Sequence, residues 1–235
     1  MKIERLEPSK HKQGRWLVWF DDGSLVRAGE GDVVSQSLYA GKELTAEEVA
    51  ALERCAEQSR LYQRAVDLLA MRPMSRKELV DRLCAPPRPK RSRDPRKWEE
   101  QERTEEFDRD IAQARAEELR EQAEAAADRL EELGLLNDGE YARMVVRHYA
   151  AKGYGARRIR DELYRRGAPR ELWNVALEEL KDCESPVEKL ARQKLREAEP
   201  TRENLKKVSD YLARRGFGWE EISAALDRVR EEAED

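Results

Sequence analysis

The segment G-A-R-R-I-R-D-E-L-Y-R-R-G, residues 155–167, has the pattern of a short amphipathic helix with a glycine at each end. Two further segments align with it, S-R-K-E-L-V-D-R-L at 75–83 and T-R-E-N-L-K-K-V-S-D-Y-L-A-R-R-G at 201–216. Each carries basic residues near its start and ends on, or just after, a leucine. Because similar helices and helix-breaking residues flank these segments, we predict a unit of about three helices that occurs three times.

Each predicted helix is too short, and its apolar face too narrow, to be stable alone, so neighbouring units are expected to stack and share a core. We therefore predict a mostly α fold, an elongated tandem array of three-helix repeats with a small N-terminal β-hairpin and a long inserted helix. The expected domains are an N-terminal β-hairpin region at 1–44, a first three-helix repeat at 45–84, an inserted linker and charged helical arm at 85–118, a second three-helix repeat at 119–168 and a third helical repeat at 169–235.

The helices of this fold are predicted from caps, breakers and apolar spacing. Ser75 and Glu78 form a capping box, and Asp138 is expected to cap the helix that it begins. Trp173 and Trp219 begin matching helices, and we expect both in the core. The predicted helices are 46–58, 60–71, 75–84, 98–133, 138–151, 156–166, 169–181, 186–198, 202–215 and 219–232.

The N-terminal hairpin is predicted from R-W-L-V-W-F at 15–20 and a second β-rich run at 24–28. Asp21-Asp22-Gly23 lies between them, and Asp-Gly readily adopts the positive φ angles of a tight turn. Trp16, Trp19 and Phe20 give this hairpin an apolar face, which we expect the first helical repeat to cover.

The inserted segment combines a linker with a charged helix. Residues 85–97 contain four prolines in a basic run, and residues 98–133 contain fourteen acids and five bases without glycine or proline. A narrow apolar seam is predicted near the end of this helix. We interpret the helix as a solvated spacer rather than an acidic binding site. The seam residues are Leu119, Ala123, Ala126, Leu130 and Leu133.

Composition favours a binding protein over an enzyme. The chain is 41% charged, and its two histidines, His11 and His148, belong to no catalytic or metal-ligand spacing. We expect no catalysis, metal or cofactor. The three isolated cysteines, Cys55, Cys84 and Cys183, together with the absence of a membrane-length apolar run or a signal-peptide pattern, predict a cytoplasmic protein with reduced thiols. We expect a monomer.

A basic stretch at residues 143–170 holds nine bases and two acids in a chain whose net charge is −4. On the helix at 156–166, Ile159 and Leu163 are predicted to face the core and the arginines to face outward. The alternative is a set of ordinary i,i+4 ion pairs, but two acids cannot neutralise nine bases. We favour a binding face for an acidic protein surface or for nucleic-acid phosphates, with candidate residues Arg143, Arg147, Lys152, Tyr154, Arg157, Arg158, Arg160, Arg165, Arg166, Lys206, Lys207, Arg214 and Arg215.

The K-G-Y-G segment at 152–155 is interpreted as a tight turn between helices. It is not a phosphate-binding loop, because no strand precedes it and no G-K-[ST] follows. Tyr154 fits either a core position or a contact with a partner equally well.

Three segments in order resemble the RecX family of bacterial recombinase regulators. They are A-V-D-L-L-A-M-R-P-M-S-R-K-E-L-V-D-R-L at 65–83, L-E-E-L-G-L-L-N-D-G-E-Y-A-R at 130–143 and K-G-Y-G-A-R-R-I-R-D-E-L-Y-R-R-G at 152–167. The resemblance covers residues 60–84 and 119–232 and leaves out the insertion. It implies a regulatory protein that binds RecA recombinase filaments and limits filament growth, ATP hydrolysis and strand exchange in DNA repair, recombination and the SOS response.

Two other functions remain open from the residues alone. A nucleic-acid-binding module would use the same arginines to contact the phosphates of single-stranded DNA without RecA. A scaffolding protein would instead associate through the long helix at 98–133.

Overall fold

The computed structural model describes residues 1–10, 12–85, 109–178, 186–195 and 201–234. Within these ranges the chain forms three strands and ten helices, which confirms the mostly helical fold with a small N-terminal β-structure. The strands are β1 (Ile3–Pro8), β2 (Arg15–Phe20) and β3 (Leu25–Gly29). The helices are α1 (Glu30–Ser35), α2 (Ala46–Met71), α3 (Arg76–Cys84), α4 (Arg109–Glu132), α5 (Asp138–Ala151), α6 (Ala156–Arg165), α7 (Glu171–Glu178), α8 (Pro186–Leu195), α9 (Arg202–Arg214) and α10 (Trp219–Glu234).

The predicted β2–β3 hairpin is present, but the sheet has a third strand that the sequence reasoning missed. Its order is β1-β2-β3 and both pairings are antiparallel. Strand β1 has only two apolar side chains, Ile3 and Leu6, and a register shift interrupts its pairing between Ile3 and Arg5. An edge strand with so weak an alternation is recognised only through its partner β2.

The sheet packs one face against α2. Phe20, Val18 and Ile3 are fully buried in a core that includes Leu52 of α2, which confirms that Phe20 is covered by the helical segment after the hairpin. Trp16 packs partly against this core. Trp19 lies under the Arg5 guanidinium, 5.2 Å from the ring centroid.

The predicted break between residues 58 and 60 is wrong, because the single helix α2 runs through Ser59. The Ser59 hydroxyl donates a hydrogen bond of 3.0 Å to Asp32, so a polar residue in mid-helix is satisfied from outside it. Thr45 caps the N-terminus of this helix. Its hydroxyl accepts the Glu48 N–H, and the Glu48 carboxylate accepts the Thr45 N–H.

Helix α4 is packed along its second half and is not simply a solvated spacer. Ala123, Ala126 and Leu130 of the predicted seam are buried, whereas Leu133 follows the helix and is half exposed. Small alanines let the backbone of α4 approach α2 closely, as the contacts between the two helices show. Residues 86–108, which hold the proline-rich run and the predicted start of this helix, lie outside the described residues.

The chain divides into two compact units, Met1–Arg72 with Leu79–Leu135, and Pro73–Glu78 with Leu136–Asp235. The described residues of the second unit form two hydrophobic cores. One joins α5, α6 and α7 through residues such as Val146, Ile159 and Leu163, and the other joins α8, α9 and α10 through residues such as Leu212 and Ile222. Helix α7 therefore packs with the helices before it, although the expected third repeat begins at residue 169.

The two tryptophans predicted in the core differ. Trp173 packs against the first of these cores and donates its indole N–H to the Ala168 carbonyl at 2.9 Å. Trp219 is 74% exposed, so its predicted core position is wrong. When the repeats are aligned on the R-R-G segments at 165–167 and 214–216, Ile222 occupies the position of Trp173. Ile222 is the buried residue of the third repeat.

Candidate partner-binding surface

Helix α6 presents the face that the sequence predicts. Ile159 and Leu163 are fully buried, and Arg157, Arg158 and Arg165 are exposed on the opposite side. Four arginines on a ten-residue helix are compatible with folding because the apolar stripe needs only two large side chains and one small one. Arg160 is also exposed, at the border of the stripe.

Glu162 lies among these arginines and is almost completely buried. Its carboxylate accepts a hydrogen bond of 2.8 Å from Arg165 and lies 3.4 Å from Arg158. The Tyr149 hydroxyl donates a third contact at 3.1 Å. The hydrogen bond from Arg165, aided by the one from Tyr149, holds the pKa of the Glu162 carboxyl below its ordinary value. This carboxylate is therefore an anchor that orients two of the candidate cations.

Arg166 turns away from solvent, unlike its neighbours. Its guanidinium donates to the hydroxyls of Tyr141 and Tyr149, each at 3.3 Å, and lies 3.9 Å from the Glu162 carboxylate. The hydrogen bonds to Tyr141 and Tyr149 raise the pKa of Arg166. These contacts make Arg166 a residue that joins α5 to α6.

Arg215 has the corresponding structural position at the end of α9. It stacks between the rings of Tyr154 and Tyr211, 5.2 and 5.1 Å from their centroids. It also donates to the backbone carbonyls of Lys152 and Gly153, at 2.7 and 3.2 Å. Tyr154 is half-buried within this stack, so the structure places it in a packing contact.

The turn after α9 is bonded directly to the start of α6. Gly155 donates its N–H to the Arg215 carbonyl at 2.9 Å, and Arg157 donates its N–H to the Gly216 carbonyl at 3.0 Å. These carbonyls satisfy N–H groups that would otherwise need a side-chain cap, since Gly155 has none to offer. Gly216 has φ of +88°, and a Cβ there would lie 2.5 Å from the Arg158 nitrogen. We call this arrangement the turn-to-helix junction.

A similar junction joins the turn after α6 to the start of α3. The Ser75 hydroxyl donates to the Arg166 carbonyl at 2.5 Å and accepts the Glu78 N–H at 3.1 Å, which confirms Ser75 as a helix cap. The prediction that Asp138 caps α5 is wrong, because its carboxylate accepts the N–H of Arg76 at 2.8 Å. Asn137 caps α5 in its place and accepts the Glu140 N–H at 3.0 Å.

Helix α9 repeats the charge pattern of α6. Lys206, Lys207 and Arg214 occupy the aligned positions of Arg157, Arg158 and Arg165, and all three are exposed. Lys207 pairs with Glu203 at 3.2 Å, where both side chains are largely in solvent, so this pair contributes little. The structure thus brings the cations predicted in the second and third repeats into two equivalent helical faces.

The remaining candidates are on α5 and at its end. Arg143 is paired with Glu140, and Arg147 is exposed. Lys152 places its ammonium 5.6 Å from the Tyr149 ring centroid. Within the described residues, no three His, Cys, Asp or Glu side chains are grouped to hold a metal ion. None of the described helices is both long enough and apolar enough to cross a membrane.

Comparison with known proteins identifies the repeats. The model described as "RecX, second three-helix domain" matches residues 137–177, and "RecX, third three-helix domain" matches 187–226. These ranges coincide with the helices of the two cores of the second unit, α5–α7 and α8–α10.

Curated relatives and solved structures bear the same name. Regulatory protein RecX of Xanthomonas axonopodis pv. citri (strain 306) is 34% identical over 165 residues, 69% of this chain and 83% of its own length. The RecX of Pseudomonas fluorescens (strain SBW25) is 38% identical over 109 residues, 45% of this chain and 70% of its own. A crystal structure of regulatory protein RecX shares the fold with a TM-score of 0.65, 22% identity and 98% coverage of both chains. The chain belongs to the RecX family of regulatory proteins.

Proposed function

We propose that this protein binds RecA recombinase filaments and inhibits their extension, ATP hydrolysis and strand exchange, thereby modulating DNA recombination, repair and the SOS response. The family and the resemblance of its motifs support the partner. The mechanism is binding rather than catalysis, and it requires no cofactor of its own. We expect the protein to act in the cytoplasm, as a monomer.

The observation that carries the proposal is the pair of equivalent cationic faces on α6 and α9. Arg157, Lys206 and Arg214 are exposed and make no ion pair with a described residue. Unpaired guanidinium and ammonium groups retain their full charge, so they attract an acidic partner surface and raise its association rate. Buried side chains such as Ile159 and Leu212 fix the orientation of both helices against their cores.

These three unpaired cations also give the sharpest test. Arg157→Glu, Lys206→Glu and Arg214→Glu together change the charge by six units without disturbing the Glu162 network. Glutamate at Arg158 or Arg165 would instead face a buried carboxylate and destabilise α6. We expect the triple variant to need at least about tenfold more protein than the unchanged chain to inhibit RecA-driven ATP hydrolysis, since each lost charge contact contributes about 0.5–1 kcal/mol.

A matched control carries the same charge change elsewhere. Arg54→Glu, Arg60→Glu and Lys189→Glu replace exposed cations on α2 and α8 that have no ion pair among the described residues. This control should inhibit as the unchanged protein does. Full inhibition by the α6–α9 triple variant, with an unaltered melting temperature, would overturn the assigned surface.

The same exposed arginines favour single-stranded DNA as the second candidate partner, because guanidinium groups match phosphate geometry. Direct binding should fall steeply with salt and persist when RecA is absent. Binding of labelled single-stranded DNA that is equally tight with and without RecA would favour this function. Scaffolding through the predicted coiled-coil seam loses support, since Ala123, Ala126 and Leu130 pack within the chain.

A further inference from the structure

Trp219 is the most exposed large aromatic side chain among the described residues. It is the first residue of α10, and the fold does not use its indole, because Ile222 fills the core position of this helix. Covering an indole of this size with a partner surface would remove a large apolar area from water.

The residue aligned with Trp219 in the second repeat is Arg170, which contacts aromatic rings of its own repeat. Its guanidinium lies 5.7 Å from the Tyr164 ring and 5.8 Å from the Trp173 ring. In the third repeat, Ala213 stands at the position of Tyr164. The second repeat therefore has a cation–aromatic cluster at this position, whereas the third repeat has an exposed indole.

The turn-to-helix junction lies just before Trp219 in the sequence and contacts the cationic start of α6. Trp219 is three residues after Gly216, so their Cα atoms are at most about 11 Å apart. A Cβ on Gly216 would lie 2.6 Å from the Arg158 Cβ, which places the start of α6 in the same neighbourhood. Arg214 lies two residues before Gly216 and is exposed. The backbone of the junction thus brings chain positions that carry a tryptophan and two arginines from two repeats into one region.

We propose that Trp219 is the apolar anchor of a protein-docking site and enters a hydrophobic pocket bordered by carboxylates on the recombinase filament. This inference rests on the proposed function and adds a residue outside the predicted basic face. Tryptophan and arginine dominate the residues that contribute most to protein–protein affinity. The arginines select the acidic border of the pocket, and the indole supplies the apolar burial.

The local charges favour a protein over a nucleic acid. Glu220 and Glu221 directly follow Trp219, and the Glu221 carboxylate accepts the Gly218 N–H at 2.8 Å, which fixes it at the start of α10. Two carboxylates beside a stacking platform repel a phosphate backbone. A protein pocket, unlike a phosphate backbone, does not carry negative charge along its whole length. Its carboxylates can lie opposite the arginines and away from Glu220 and Glu221.

The test is the affinity of the full chain for RecA filaments assembled on single-stranded DNA. Trp219→Ala should weaken binding at least about 30-fold, as expected for an anchor residue, and Trp219→Phe should recover part of the loss. Val175→Ala on α7 is the control, because it trims another exposed apolar side chain and should leave affinity unchanged. Melting temperatures should be similar throughout, since both residues are in solvent.

The outcomes separate the two proposals. If the unchanged protein does not bind the filament, the proposed function fails. If it binds and Trp219→Ala binds within twofold, only the docking site is overturned. A loss that appears equally with single-stranded DNA alone, without recombinase, overturns the protein pocket in favour of base stacking.

Discussion

Helices α6 and α9 place cations at the same three positions but support them differently. Between Arg158 and Arg165 lies the buried carboxylate of Glu162, which contacts both. Between Lys207 and Arg214 lies Tyr211, whose ring stacks with Arg215 and with Lys194. The second repeat thus orders its cations with one buried carboxylate, whereas in the third repeat the carboxylate that pairs with a cation, Glu203 with Lys207, is largely in solvent.

This difference changes the contribution to partner binding that we expect from each repeat. Sequence reasoning favours the second repeat, because it contains more arginines. The structure shows that Glu162 cancels part of that charge and that Arg166 is withdrawn into a tyrosine cluster. We therefore expect α9 to contribute to partner binding about as much as α6.

The largest expected effect comes from the junction on which both helices depend. Gly216→Ala forces a positive φ on a residue with a Cβ and drives that atom into the Arg158 backbone. The strain costs about 1–2 kcal/mol and the overlap adds more, so we expect a loss of about 2–4 kcal/mol in unfolding free energy. Urea denaturation monitored by circular dichroism measures it.

Gly134→Ala provides the matched control. Gly134 has a similar φ of +68°, but a Cβ there meets no atom within 4 Å. It should lose only the strain, about 1–2 kcal/mol. Equal losses in the two variants would show that a Cβ at Gly216 meets no resistance, so that the turn is not packed tightly against α6.

The second effect concerns the anchors themselves. Glu162→Gln keeps the side-chain volume but leaves Arg158, Arg165 and Arg166 without their shared carboxylate. We expect a loss of about 1–2 kcal/mol in unfolding free energy. The added net positive charge should also raise the association rate with an acidic partner.

Tyr211→Phe removes only a hydroxyl from the aligned position on α9 and keeps the ring on which Arg215 stacks. Its stability should be unchanged within about 0.5 kcal/mol. Parallel denaturation curves of the two variants compare the anchors directly. A larger loss in Tyr211→Phe than in Glu162→Gln would reverse the order that we assign to them.

Local patterns suffice to predict much of this molecule. The apolar stripe of Ile159 and Leu163, the Asp-Gly turn and the cap at Ser75 all depend on residues within a few positions of one another. For the same reason the exposed cations of α6 are predicted correctly as a face. Their role in binding stays a prediction.

What the sequence does not predict depends on distant contacts. In the middle of α2, the Ser59 hydroxyl bonds to Asp32, which is 27 residues away. The Asp138 carboxylate accepts the N–H of Arg76, which is 62 residues away. Arg166 looks like its neighbours in sequence, but Tyr141 and Tyr149 withdraw it from the surface. Trp219 is misplaced because a small shift in the repeat alignment moves it from the core to solvent.

The smallest expected effect is a difference in pH dependence between the two helices. Because the pKa of Glu162 is lowered in the folded protein, its contribution to stability is complete above its unfolded value and is lost as the pH falls through the folded value. Helix α9 has no carboxylate at this position. Unfolding free energies measured from pH 7 to pH 3 should therefore fall more steeply for the unchanged protein than for Glu162→Gln, and the two curves should converge at low pH. Parallel curves would mean that the Glu162 carboxylate gains nothing from its arginines, so that the cations of α6 and α9 are supported by packing alone.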